Sequence, residues 1–393
     1  MLIVVAFLFA KLIKFCGNNE RYLYNSCYFE KIMYICKNII EFLKMIRDKQ
    51  LDNYRALVMI HMVCVIHVIY WLGNFFPMQS FTLFAMSSVF FISGAAMKYS
   101  HPKSNASLLL KRFKRVLLPY YIYACLCVCI LICVCFIPKL SVFTKFSILH
   151  YSIKDFLEIL FVQGIPGIKM VYHIWFIIPY LIITCSFNYQ KQIINKYSWK
   201  YVLINILVIA ALYFLKVYDV DYKSFTYIQS VFYDTSLNVL AYNVFFVIGY
   251  LYYKKMEIKM MALVGLFSFM ILSVLSHFHF TDLQVHKFPP DLLFILYNIG
   301  VLCFLGILFS KITIPEIRLL KWWNKNGYTI YLYQNLVFLI YIIFYNRYVV
   351  GLFDDIIIKL IICFFVILFS STFFSFLIVP IENYVINLIL HKK

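Results

Sequence analysis

The chain has 393 residues, of which 64% are hydrophobic, 20% aromatic and only 13% charged. That leaves too few polar side chains to clothe a water-soluble globule, and the composition is that of a polytopic membrane protein. The formal net charge of +19 would suit a nucleic-acid binder, but the basic residues alternate with apolar stretches as topology signals do, so no nucleic-acid partner is expected.

Residues 1–50 are read as an N-terminal extension. The apolar run Met1 to Cys16 is interrupted by Lys11 and Lys14 and falls short of the roughly 20 residues a membrane span needs. It has no charged region before it and no small-residue cleavage site after it, which argues against a cleaved signal peptide. Tyr34 to Lys49 carries apolar residues at helical spacing with Glu41, Lys44, Arg47 and Lys49 between them, the pattern of an interfacial helix.

Residues 51–393 are read as one membrane domain. Ten apolar stretches lie near 54–73, 78–98, 116–137, 170–187, 200–217, 237–253, 259–277, 291–310, 328–346 and 355–380. The expected fold is therefore all-α, a polytopic bundle of about ten transmembrane helices. Placing the start of the first helix in the cytoplasm puts Lys98, Lys103, Lys111, Arg112, Lys114 and Arg115 in one inside loop. Later inside loops hold Lys191, Lys196 and Lys200, then Lys254, Lys255 and Lys259, then Lys311, Arg318, Lys321 and Lys325, with Lys392 and Lys393 at the tail. The opposite side receives Asp219, Asp221, Asp234, the segment from Asp282 to Asp291, and Asp354 and Asp355. This predicts a multi-pass protein of the cytoplasmic (inner) membrane with both ends of its core inside. Cys125, Cys127, Cys129, Cys133 and Cys135 share one predicted helix and are read as packing residues, so no metal site is expected.

His67 is the first candidate for chemistry. It lies deep in a helix that opens with Asp52-Asn53-Tyr54-Arg55, and an ionisable group at membrane depth is a functional candidate by default. Imidazole titrates near neutral pH, which suits it to remove a hydroxyl proton. Asp52 or another carboxylate would orient the ring. His61, six residues earlier and about 120° away around an ideal helix, is read as a packing or hydrogen-bonding residue.

Further polar pieces follow in order. They are Phe90-Phe91-Ile92-Ser93-Gly94, then Lys111-Arg112-Phe113-Lys114-Arg115-Val116-Leu117-Leu118-Pro119-Tyr120, then His173-Ile174-Trp175-Phe176, Phe245-Phe246-Val247-Ile248-Gly249-Tyr250, and Gly327-Tyr328-Thr329-Ile330-Tyr331-Leu332. Together with Arg55 and His67 this series resembles the acyltransferase type 3 family of integral membrane proteins, over roughly residues 50–380. The basic loop and the Phe-Phe-Ile-Ser-Gly piece are similar to the branch that acts on exopolysaccharides and lipid-linked sugars.

The resemblance implies transfer of an acyl group, acetyl or succinyl, from cytoplasmic acyl-CoA to a hydroxyl of a cell-surface polysaccharide or lipid-linked sugar. It implies no permanently bound cofactor, since acetyl-CoA or succinyl-CoA is a substrate. Expected partners are the lipid bilayer, acyl-CoA, a carbohydrate acceptor and the polysaccharide synthesis machinery. His67 is the expected general base, with Arg55 and Asp52 as its catalytic companions. Arg112 and Arg115 match the family's Arg-x-x-Arg element, closed by Pro119, and are expected to hold the phosphates of coenzyme A, for which arginine offers planar, bidentate contacts. Asn53, Ser93, His173 and Trp175 are expected to bind substrate, Trp175 as a stacking surface for a sugar.

Two departures stand out. The family separates its arginine and histidine by ten residues, whereas eleven lie between Arg55 and His67. On an ideal helix that sets the two about 120° apart rather than about 20°. A π-bulge or an irregular start near Arg55 would absorb the extra residue, with Asn53 as the fallback polar neighbour of His67. At Gln334 many members carry histidine; glutamine forms hydrogen bonds but is no base. Two further readings stay open: a transporter or flippase of polysaccharide or lipid-linked sugar, and a non-catalytic partner in envelope polysaccharide assembly.

Overall fold

A computed structural model describes residues 48–72, 77–100, 104–136, 172–219, 227–344 and 356–390. The extension read over residues 1–50 lies outside them apart from its last three residues. Among the described residues all regular structure is helical, with one isolated bridge between Lys287 and Pro290. The first span is built from α1 (Lys49–His61), a π-turn (Met62–Ile66) and α2 (His67–Leu72), and the second from α3 (Met78–Phe81) and α4 (Ala85–Met97). Next come α5 (Asn105–Arg112), a second π-turn (Phe113–Leu117) and α6 (Leu118–Phe136), then a 3-10 turn (Tyr172–Phe176) leading into α7 (Ile177–Cys185). They are followed by α8 (Phe187–Tyr197), α9 (Trp199–Phe214), α10 (Tyr227–Tyr252), α11 (Ile258–Leu275), α12 (Leu292–Lys311), α13 (Arg318–Phe344) and α14 (Ile356–Ile389).

Each of the ten predicted stretches carries a helix, but they do not all reach across a membrane alone. Among the described residues seven helical stretches are long and apolar enough, and an eighth span is made if α8 and α9, bent by 107°, are counted together. That bend falls at Ser198, whose φ of 45° ends one helix and starts the next. The stretch predicted at 170–187 is only His173–Cys185 in length. The stretch predicted at 328–346 belongs to the 27-residue α13, whose first turns carry Arg318, Lys321 and Lys325.

The bundle is apolar outside, and a set of polar side chains is buried within its apolar core. Leu263, Leu266, Phe267 and Met270 of α11 and Phe365, Phe369, Phe373 and Ile381 of α14 are exposed. Asn243, Asn298, Asn326, Gln334, Asn335 and Glu382 are buried. A soluble protein would reverse this, whereas lipid rewards it.

Two glycines set the closest helix pair. A Cβ on Gly94 of α4 would lie 1.8 Å from the Phe246 carbonyl oxygen, and a Cβ on Gly249 of α10 would lie 1.9 Å from that of Phe91. The contact is reciprocal, and it explains why two of the sequence pieces carry a glycine: small residues let membrane helices approach backbone to backbone.

The first span runs parallel to α13, and both are tied at their starts to the connection between α12 and α13. Gln50 Nε2 donates to the Ile314 carbonyl (3.1 Å), Asn53 Nδ2 donates to the same oxygen (3.0 Å), and Lys49 pairs with Glu316 at 2.7 Å. At the same end Lys98 Nζ reaches the Tyr253 carbonyl, close to Lys254 and Lys255. The opposite end holds the connection from Ser276 to Asp291, where Ser80 Oγ donates to Asp282.

Candidate active site

His67 sits where the π-turn ends. Its backbone N–H donates to the Met62 carbonyl, five residues back, so the turn holds one residue more than an α-turn would. The bulge is next to His67, not near Arg55 as expected, and its effect on facing is the expected one. Arg55 Nη1 donates to Asn324 Oδ1 (3.2 Å) and His67 Nδ1 lies 2.8 Å from Gln334 Oε1. Both partners belong to α13, so the two side chains share a face.

They do not share a site. Twelve residues of helix put about 18 Å between them, and Arg55 is further engaged by Asp52 (Nη1–Oδ1 3.3 Å). Asp52 is therefore the companion of Arg55, too far down the helix to orient His67. Asn53 is not the neighbour of His67 either, since it is buried against Ile314.

The orienting group of His67 is Gln334. An amide oxygen only accepts, so Nδ1 of His67 carries the proton and Nε2 keeps its lone pair. Tyr331, three residues before Gln334, lies beside both histidines, with ring centroids 5.6 Å from His67 and 5.0 Å from His173. His173 is itself clamped: its carbonyl accepts from Tyr331 Oη (2.6 Å) and its Nδ1 accepts from Asn335 Nδ2 (2.6 Å). The rings of His67 and His173 meet edge to face at 6.5 Å. His61 faces elsewhere, donating Nε2–H to the Thr82 carbonyl (3.1 Å) and stacking on Phe84.

Trp175 is partly exposed beside this group. It packs edge-on against Phe288 at 4.9 Å and near Tyr242 at 5.7 Å. Lys287 Nζ lies over both the Phe288 ring (4.6 Å) and the Trp175 ring (5.9 Å), and its charge reaches His67.

The arginines gather at the other end of the first span, around Tyr180 of α7. Arg112 Nη1 donates to Tyr180 Oη (2.9 Å), with its guanidinium 5.4 Å from the ring centre, and Nη2 contacts Met97 Sδ. Ser93 lies near the Tyr180 hydroxyl, and the charges of Arg115 and Arg55 reach the same group. Arg112 precedes the second π-turn and Arg115 lies within it; the turn closes where Leu118 N–H donates to the Phe113 carbonyl. Pro119 explains that turn: it has no N–H for the Arg115 carbonyl, and its ring would crowd that oxygen in a regular helix.

The sequence reading misses Gln334 as the orienting group, Tyr180 as the arginine hub, and Lys287. Gln334 was visible as a departure from histidine. Tyr180 and Lys287 carry no signal beyond their residue type.

The fold and these clusters define a polytopic, all-α membrane protein with polar groups buried in its core, carrying a partly buried imidazole toward one face and arginines at the other. The chain belongs to the acyltransferase type 3 family, whose model, an acyltransferase domain, matches residues 48–379. It is a membrane acyltransferase. No curated protein and no solved structure matches it.

Proposed function

We propose that this protein moves an acyl group, acetyl or succinyl, from cytoplasmic acyl-CoA to a hydroxyl of a cell-surface polysaccharide or lipid-linked sugar. The observation that carries the reading is the His67–Gln334 hydrogen bond, 2.8 Å long, which leaves Nε2 of a partly buried imidazole bare. His67 Nε2 takes the acceptor's hydroxyl proton as that oxygen attacks the thioester carbonyl. The C–S bond then breaks, coenzyme A leaves as thiolate, and the proton passes from His67 to its sulfur.

Arg112 and Arg115 hold the phosphates of the donor, and Arg55 joins them as a third cation through its place near Tyr180 rather than as a companion of His67. The separation of the arginines from His67 suits an extended donor, phosphates at the basic end and thioester at the imidazole. Ser93 positions Tyr180 within this donor site, and Asp52 positions Arg55. His173 and Trp175 line the acceptor side, while Asn53 supports the helix start. The basic end faces the cytoplasm of the inner membrane, by the excess of lysine and arginine there.

Mass spectrometry of the surface polysaccharide tests the reading. Cells carrying the wild-type chain show an acyl mass increment that His67→Ala cells lack at equal membrane abundance. An increment that survives in His67→Ala rejects His67 as base, and one absent from both favours the transporter or assembly-partner reading.

A further inference from the structure

Lys287 is a charged group within electrostatic reach of His67 that the reaction above does not use, and its surroundings are unusual for a lysine. It sits on the connection between α11 and α12, which is pinned from several directions. Ser80 Oγ donates to Asp282 Oδ1 (3.2 Å) and accepts from the Leu283 N–H (3.1 Å), while His286 Nδ1 meets Asp291 Oδ2 at 2.5 Å. Asp291 also caps α12 by accepting from Leu293 and Phe294 N–H. Lys287 and Pro290 then form a bridge between those anchors.

Both acids of the connection are thus occupied, and neither neutralises Lys287. Among the described residues Lys287 takes part in no ion pair. What holds its ammonium is aromatic: the faces of Phe288 and Trp175, at 4.6 and 5.9 Å. Such contacts give an ammonium some attraction but no counter-charge. Loss of surrounding water pushes the group down to about 8, in the direction that a missing anion would reverse. A partly desolvated cation without a carboxylate costs free energy unless a ligand supplies the anion. The same ammonium acts on His67 through space and lies over the partly exposed Trp175, so an anion bound to it would sit against Trp175 and within electrostatic reach of the imidazole.

We infer that the acceptor is an anionic sugar, whose carboxylate or phosphate pairs with Lys287 while its ring rests against Trp175 and its hydroxyl meets His67. The inference rests on the acyl-transfer reading and names its acceptor class. The negative group is either on the sugar itself, as in a uronic acid, or in the phosphate that joins a sugar to a polyprenyl lipid.

The test uses the full chain in lipid vesicles with acetyl-CoA or succinyl-CoA and three acceptors: methyl glucoside, methyl glucuronide and a polyprenyl-phosphate glucose. Wild-type protein is expected to acylate one charged acceptor with a KM at least about tenfold below that of the neutral glycoside, equivalent to about 1.4 kcal/mol. The glucuronide or the lipid phosphate being preferred identifies the source of the charge. Lys287→Met should abolish the preference by raising the KM for the charged acceptor to that of the neutral glycoside, and Lys287→Arg should keep part of it. Equal turnover of charged and neutral acceptors by wild type overturns the inference, as does an equal loss on both acceptors in Lys287→Met.

Binding is measured separately, by tryptophan fluorescence without acyl-CoA, using the glucuronide and the lipid phosphate as probes. Saturable, Lys287-dependent binding without any transfer would support the anion site and reject the acyl-transfer reading. Absence of both binding and transfer for the charged acceptors rejects the anion site.

Discussion

His67 Nδ1 lies 2.8 Å from the amide oxygen of Gln334, a contact that joins the first span to α13 and fixes which nitrogen of the imidazole is bare. Replacing Gln334 with leucine keeps the volume but removes the acceptor. The ring is then free to adopt the tautomer with a protonated Nε2. The expected result is a fall in kcat of roughly 10- to 100-fold with KM for both substrates little changed, the scale seen when a positioning hydrogen bond to a functional imidazole is lost. Steady-state kinetics of Gln334→Leu check it. A KM effect alone would show that Gln334 serves binding instead.

The π-turn Met62–Ile66 makes a second prediction, because its extra residue is what allows Arg55 and His67 both to face α13. Deleting Cys64, a buried residue inside the turn, restores the family's spacing of ten and leaves a regular helix. The deletion protein is expected to retain acyl transfer, whereas inserting one alanine after Cys64 rotates His67 by about 100° and should abolish it. Activity in the insertion protein, or its loss in the deletion protein at equal abundance, would show that the bulge has no such bearing on facing.

How far this architecture could be read from sequence differs from element to element. Composition and apolar runs locate the helices, because lipid demands the same apolar surface along every span. They do not separate a full span from the 3-10 turn and short helix at His173–Cys185, since a buried half-span is just as apolar. The spacing of Arg55 and His67 signalled a bulge, since helical phase is arithmetic, but not its position. The glycines of the Phe-Phe-Ile-Ser-Gly and Phe-Phe-Val-Ile-Gly pieces were visible, yet their mutual contact depends on which helices are neighbours. Lys287 was illegible because a loop lysine has no period, and only folding brings its connection to Trp175 and His67.

The Gly94–Gly249 contact is tested by adding a methyl group. Alanine at position 94 would push its Cβ against a backbone carbonyl, which cannot swing aside as a side chain does. The helices must separate, and overpacking of this kind costs about 1–3 kcal/mol and occasionally more. Gly94→Ala is expected to lower the melting temperature in detergent, and Gly249→Ala to do the same. Because each glycine meets the other's helix, the double variant should cost less than the sum of the two. Strict additivity would mean that the contacts are independent.

The arginine hub around Tyr180 predicts a defect confined to the donor. Arg112→Ala with Arg115→Ala removes two cations from the proposed phosphate site, and about a tenfold or larger rise in KM for acyl-CoA is expected, since hydrogen bonds to charged groups each contribute about 1.5–3 kcal/mol. The KM for the acceptor should stay put. Arg55→Ala belongs to the same group and should also raise the donor KM; a fall in kcat alone would return Arg55 to the company of His67. Tyr180→Phe, which removes the hydroxyl that Arg112 holds, should produce a smaller donor defect than the double arginine variant.

A pH dependence follows from Glu316, which receives Lys49 at 2.7 Å and Lys321 at 2.9 Å and so ties the start of the first span to α13. Those two ammonium groups hold its carboxyl at about 2, below its ordinary value of 4.5. A carboxyl lowered on folding binds protons more readily in the unfolded chain, so its contribution to stability is complete above about 4.5 and is lost as the pH falls toward 2. The residues are exposed to solvent, and salt weakens the pairing as well. Melting temperatures of wild type and Glu316→Gln should therefore differ at neutral pH and low ionic strength, converge as the pH is lowered through 4.5 toward 2, and also converge when salt is raised at neutral pH. A difference that persists at pH 2 would assign the effect of the substitution to packing rather than to charge.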